Sequence, residues 1–364
     1  FFFVFFQCSV RGMEYVEDSI HLLRDSVMRM DMYDWAAWLG LFYVVYKQIV
    51  TENRVTFEAH NPVREHKDRV MTGVFYVPFV SLATFRVVNV MRLFLMIMIF
   101  QGMGEYIQIM FLDRNNKKNP KPYQFSAMDR IVQFLSLLPS VGFFFSFTLA
   151  TTLLYMTIFF IIVIYLLILI FSPQRKKVEM KEFYKIALYW FGIMWIAWPL
   201  SHAIIVLVSM KIDGVPYGRI MLVMVLLISW TSDVAGFYVG KKCGNTKAMP
   251  HISPNKSVEG FIAQVVLGLS AGMGFCFAQS CGVTFLPPMA WFHYLFIGLA
   301  VPVFGAIGDT VESFIKRMGG VKDSGIFFPG HGGILDRFDA FLLACPVVFY
   351  YALYFITDGP ASLY

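Results

Sequence analysis

The chain has 364 residues, 58% of them hydrophobic and only 15% charged, with 39 Phe, 21 Met and a net charge of +6. Soluble domains carry about a quarter charged residues, so a single aqueous core is excluded and lipid must solvate much of the surface. The positive charge falls in short loops between apolar runs, with no nucleic-acid-binding pattern beside it, which argues against a nucleic-acid partner.

Residues 1–69 read as an N-terminal segment, interfacial or poorly ordered. Its opening apolar run, Phe1–Phe6, is too short for a signal-peptide core, and Met13 could be a start. Trp35–Val50 is apolar but short and aromatic-rich, which suits a helix lying in the interface. From there on, apolar runs of about 17–25 residues predict spanning helices. They fall near 70–90, 92–112, 131–150, 151–171, 186–210, 220–240, 261–284, 289–308 and 340–357, with Arg86, Arg92 and Glu105 interrupting the first two. The expected fold is all-α: a polytopic transmembrane helix bundle of about nine spans, with N-terminal transmembrane helices over 70–185 and a C-terminal catalytic transmembrane region over 186–364.

The loops test this topology. Lys and Arg concentrate in 113–130, 172–185, 241–260 and 309–339, each separated from the next by two predicted spans, while the intervening loops are nearly free of them. Alternate basic loops are what the positive-inside rule requires, and they place these four on the cytosolic side. The five cysteines show no paired metal spacing; Cys276 and Cys281 lie near one face, where free thiols are the expected state.

Three clusters carry chemistry. Thr231-Ser232-Asp233 puts a carboxylate inside an apolar helix, a functional-site signal or a polar helix–helix contact. Gly236, Gly240 and Gly244 follow at four-residue intervals, a small-residue stripe suited to close helix packing or to ligand approach. The second cluster, Ser253-Pro254-Asn255-Lys256-Ser257-Val258-Glu259-Gly260, precedes a span; Ser257 and Glu259 suit helix capping and ligand contact equally. In the third, Asp309, Glu312, Ser313, Lys316 and Arg317 share one helix face. Carboxylates near the span end and cations beyond it match a metal-loaded triphosphate, which needs hard oxygen ligands and phosphate-binding cations. Asp336 and Asp339 offer a second carboxylate pair, and glycines around His331 allow the backbone to approach phosphate.

Residues 313–339 resemble the full diagnostic pattern of the phosphatidate cytidylyltransferase family: Ser313, Lys316, Arg317, Lys322, Asp323, Gly325, Pro329, His331, Gly332, Gly333, Asp336, Arg337 and Asp339 all match. The second cluster resembles the family's Ser-Pro-Lys-Lys stretch but has Asn255 where a second lysine is common. The resemblance covers about residues 185–357. It implies a multi-pass membrane nucleotidyltransferase that joins CTP to phosphatidic acid with Mg2+, its site facing the cytosol, and it allows a homodimer. By resemblance, Asp309 and Asp336 are expected metal ligands, with Asp233, Asp323 and Asp339 as further ligands or orienters. Asp309, Asp336, Lys316 and His331 form the expected catalytic set. Substrate contacts are expected from Lys256, Ser257, Glu259, Ser313, Arg317, Lys322, Arg337, Gly332 and Gly333. Two readings compete: a CTP-dependent polyprenol or dolichol kinase, and a transporter using Asp233 and Asp309 as ion sites.

Overall fold

The computed structural model describes residues 88–112, 123–171, 180–325, 327 and 332–357. The segment 1–69, the helix expected at Trp35–Val50 and most of the span expected near 70–90 lie outside the described residues. Within them, seven helices are long and apolar enough to cross a membrane. The first is α1 (Val88–Phe111), followed by two short helices, α2 (Ala127–Leu135) and α3 (Leu138–Gly142), and the long α4 (Phe147–Phe171). Next, α5 (Met180–Gly192) continues through a π-turn at Ile193–Ala197 into α6 (Trp198–Ser209), one unbroken crossing. Pro199 brings no N–H to the first turn of α6, and a widened turn ahead of it re-spaces the hydrogen-bond ladder. The remaining crossings are α7 (Gly218–Cys243), α8 (Val258–Ser280), α9 (Trp291–Gly319) and α10 (Leu335–Phe355).

One expected span differs. The apolar run 131–150 is not a single helix but α2, α3 and a turn that leads into α4. Pro139 opens α3, and a Cβ on Gly142 would overlap the Ala150 backbone, so the chain folds back on itself there. Ser140 and Ser201 hydroxyls bond at 2.8 Å and Phe143 stacks on Trp198, so α2–α3 runs alongside α5–α6 before α4 returns. The Tyr189 hydroxyl donates to Asp129 at 2.6 Å, and Tyr165 bonds Glu182. These contacts hold the end of α4 and the starts of α2 and α5 together at one end of the bundle. The end of α1 joins them through Phe111 against Tyr189, and the end of α9 through Gly319 against Ile109.

At the opposite end, a two-residue hairpin links β1 (Lys211–Ile212) to β2 (Val215–Pro216). Asp213 and Gly214 both take positive φ, 50° and 75°, as the tightest hairpin turns demand. A second hairpin, β3 (Lys247–Met249) with β4 (Ser253–Ser257), leads into α8. Cys243, Cys276, Cys281 and Cys345 are free thiols.

Glycines set the helix spacing in the C-terminal half. A Cβ on Gly260 would lie 2.8 Å from the Gly236 carbonyl oxygen, and one on Gly272 2.8 Å from the Gly298 Cα. Backbones this close are what small-residue stripes permit inside a membrane. Helix α8 buries only Gly260, Gly268 and Gly272 and turns Phe261, Ile262, Val266, Leu267 and Phe277 outward. It is a thin outer wall with an apolar outward face, fastened by its glycines.

Candidate active site

Helix α9 does not stop where its apolar run ends at 308. It continues to Gly319, and Gly320 closes it with φ +72° and its N–H on the Arg317 carbonyl. Asp309, Glu312, Ser313 and Lys316 therefore stand on one rigid face. The glycine contacts bring α7 and α8 beside that face, and β4 delivers Lys256 to it.

The centre is acidic. One oxygen from each of Asp309, Glu312 and Asp339 lies within 4.8 Å of the others. Asp339 also feels the charges of Asp309 and Asp233, and Asp233 those of Asp309, Lys256 and Arg337. Lys256 pairs with Asp309, and the Ser313 hydroxyl donates to the same carboxylate at 3.3 Å. The Gln264 amide donates to Asp233. Glu312 is 1% exposed, and neither of its oxygens receives a hydrogen bond; its partner is the Lys316 ammonium as an ion pair. A buried carboxylate with so little compensation is unfavourable, and three hard oxygen donors converging at this spacing suit a divalent cation.

Asp336 faces the other side of Lys316. Its Oδ1 takes the ammonium at 2.7 Å; its Oδ2 accepts the Ser324 amide at 2.7 Å and the Gly333 amide at 2.8 Å, and the Ser324 hydroxyl, whose one proton is shared with Glu105, lies 3.0 Å away. This carboxylate is occupied with a lysine and a loop. The glycines of the signature serve the same closure. A Cβ on Gly332, whose φ is +85°, would sit 2.5 Å from Asp336 Oδ2, and one on Gly333 would overlap the Ser324 hydroxyl.

Several expected contacts take other places. Ser257 caps α8 by accepting the Gly260 amide at 3.1 Å, and Glu259 accepts the Thr246 amide at 3.0 Å, tying the second hairpin to the helix. Arg317 donates to the Ile252 and Val321 carbonyls, strapping that hairpin to α9. Lys322, Asp323 and Arg337 stand exposed, Arg337 near enough for its charge to act on Asp233, and His331 lies outside the described residues.

Three residues at the site were not among those expected there. Glu312 was legible among the carboxylates of the α9 face but was not in the assigned set. Gln264 gives no signal in the sequence. Glu105 reads as an interruption of the α1 span, yet Gln101, Glu105 and Gln108 are all buried at helical spacing, a polar stripe that marks an inward-facing surface.

The fold and site define a polytopic helical membrane protein with a cluster of carboxylates and paired lysines at one end. The chain belongs to the Cytidylyltransferase family, whose model matches residues 67–355. It is 41% identical over 134 residues to the phosphatidate cytidylyltransferase of Bacillus subtilis (strain 168), covering 37% of this chain and 48% of that one. It is 38% identical over 136 residues to the phosphatidate cytidylyltransferase of Staphylococcus haemolyticus (strain JCSC1435), covering 37% and 48%. To the uncharacterized protein YnbB of Escherichia coli (strain K12) it is 36% identical over 170 residues, covering 46% and 53%. The chain spans about half the length of the curated relatives it matches.

Proposed function

We propose that this protein is a phosphatidate cytidylyltransferase, joining CTP to phosphatidic acid and releasing CDP-diacylglycerol and pyrophosphate at the cytosolic face of a membrane. The observation that carries the reading is the meeting of Asp233, Lys256, Asp309, Glu312, Lys316 and Asp339, from separate stretches of chain, at one end of the bundle. The names of the Bacillus and Staphylococcus relatives support the choice of substrates.

The physical difficulty of the reaction is bringing two polyanions together. Asp233, Asp309, Glu312, Asp336 and Asp339 outnumber Lys256 and Lys316, so the protein alone would repel both substrates. Asp309, Glu312 and Asp339 would hold Mg2+, with Asp233 close by. When bound, the metal supplies positive charge against the triphosphate and the departing pyrophosphate. The side chains do the rest. Lys256 and Lys316, held beside carboxylates, offer cationic hydrogen bonds to phosphate oxygens. Lys322 and Arg337, both exposed, are available to the triphosphate or the lipid headgroup. An oxygen of the phosphatidate phosphate bonds to the α-phosphorus of CTP as the bond from that phosphorus to the bridging oxygen breaks, and pyrophosphate leaves. The acyl chains stay in the bilayer.

The test is direct. Detergent-purified protein is incubated with phosphatidate, magnesium and CTP labelled on the α-phosphate or, separately, on the γ-phosphate. The α-label is expected in the lipid phase and the γ-label in water. Label from the γ-phosphate alone in the lipid would replace this reading with a lipid kinase. Asp309→Ala is expected to lower the rate at least about 100-fold, the scale of losing a preorganised charge contact.

A further inference from the structure

We propose that Glu105, on α1, is a positioning residue for the transfer reaction: it holds Ser324 and the 333–335 turn so that Asp336 stays against Lys316. The inference rests on the nucleotidyl-transfer reading and adds to it a residue from outside the signature.

The Glu105 carboxylate is 4% exposed and sits inside a membrane span, within two turns of the end of α1 at Phe111. Its Oε1 accepts the Ile334 amide at 2.8 Å; its Oε2 accepts the Leu335 amide at 3.1 Å and the Ser324 hydroxyl at 2.8 Å. Those amides lie at the start of α10, where backbone donors lack partners within the helix and negative charge is favoured. Ile334, the residue at the cap position, makes no side-chain cap of its own. Gly325 and Gly333 press on the same group: a Cβ on Gly325 would lie 2.7 Å from Oε1, and one on Gly333 would overlap Oε2. Both stretches thus close on one carboxylate.

Capping alone does not require this arrangement, because a local Ser or Asp caps a helix without burying a charge in a span. What Glu105 adds is a connection. The Ser324 hydroxyl lies between Glu105 and Asp336, Asp336 holds Lys316, and Lys316 pairs with Glu312 of the acidic centre. A side chain that fixes a ligand's neighbour in this way affects rate through orientation, by about 10–100-fold when removed.

The test uses the full chain in lipid nanodiscs. Glu105→Gln keeps the size but turns an amino group toward backbone donors. Its kcat is expected to fall about 10–100-fold while KM for CTP stays within about threefold. Ser324→Ala leaves the α10 amides capped and is expected to reproduce the kcat loss at wild-type Tm. The double variant is expected to be no slower than the slower single one, because both act through Asp336. Amide hydrogen exchange at 332–335 is expected to speed up in Glu105→Gln. A folded Glu105→Gln with wild-type kcat, or losses that multiply in the double variant, would overturn the proposal. If Glu105→Gln does not fold, unchanged kcat in Ser324→Ala would overturn it instead. Absence of CDP-lipid product from the wild type would sink the nucleotidyl-transfer reading, and the exchange measurement, which needs no substrate, would still decide whether Glu105 holds the turn.

Discussion

Single atoms decide much of the site. Gly333 has room for hydrogen only, because a methyl group in its place would overlap both the Ser324 hydroxyl and Glu105 Oε2. Gly333→Ala is therefore expected to cost about 1–3 kcal/mol through overpacking, read as a lowered Tm together with lost activity. Ser257 makes the opposite case. Its hydroxyl is spent on the Gly260 amide, so Ser257→Ala should lose about 1 kcal/mol of stability and leave KM for CTP unchanged. A large rise in KM would instead return Ser257 to the substrate. Glu312→Gln removes a charge that Lys316 alone offsets; its magnesium-dependent rate should drop on the order of 100-fold, measured across a magnesium titration.

At the scale of elements, position follows from small residues. Gly260 lets α8 approach α7 at Gly236, which sets Asp233 beside the α9 carboxylates. Gly260→Leu should separate the helices and abolish transfer although it touches no substrate; normal activity in a folded variant would contradict this. Most of the C-terminal crossings were legible in the sequence because lipid demands long apolar runs, and the α9 face was legible because helical spacing gathers Asp309, Glu312, Ser313 and Lys316. The break between α2 and α4 was not, since apolar character continues across Pro139 and Gly142 while the backbone turns. Glu105 was hidden for a related reason. A lone acid in an apolar run looks like a weak span until its partners, more than 200 residues away, are in place.

For the whole molecule, sidedness is the testable property. The starts of α8 and α10 share one end with the termini of α1 and α9, and the 213–214 turn lies at the other. In a cysteine-free background, Asn245→Cys and Lys322→Cys should react with an impermeant maleimide from the cytosolic side and Asp213→Cys from the opposite side. Labelling of all three from one side would refute the arrangement. The thin wall formed by α8 carries a kinetic consequence under the proposed reaction. With so little protein between the acidic centre and the hydrocarbon, a lipid substrate arrives by lateral diffusion, and what saturates the enzyme is its mole fraction in the bilayer. Diluting phosphatidate with inert phospholipid at constant bulk amount should slow turnover, whereas diluting the whole vesicle suspension should not.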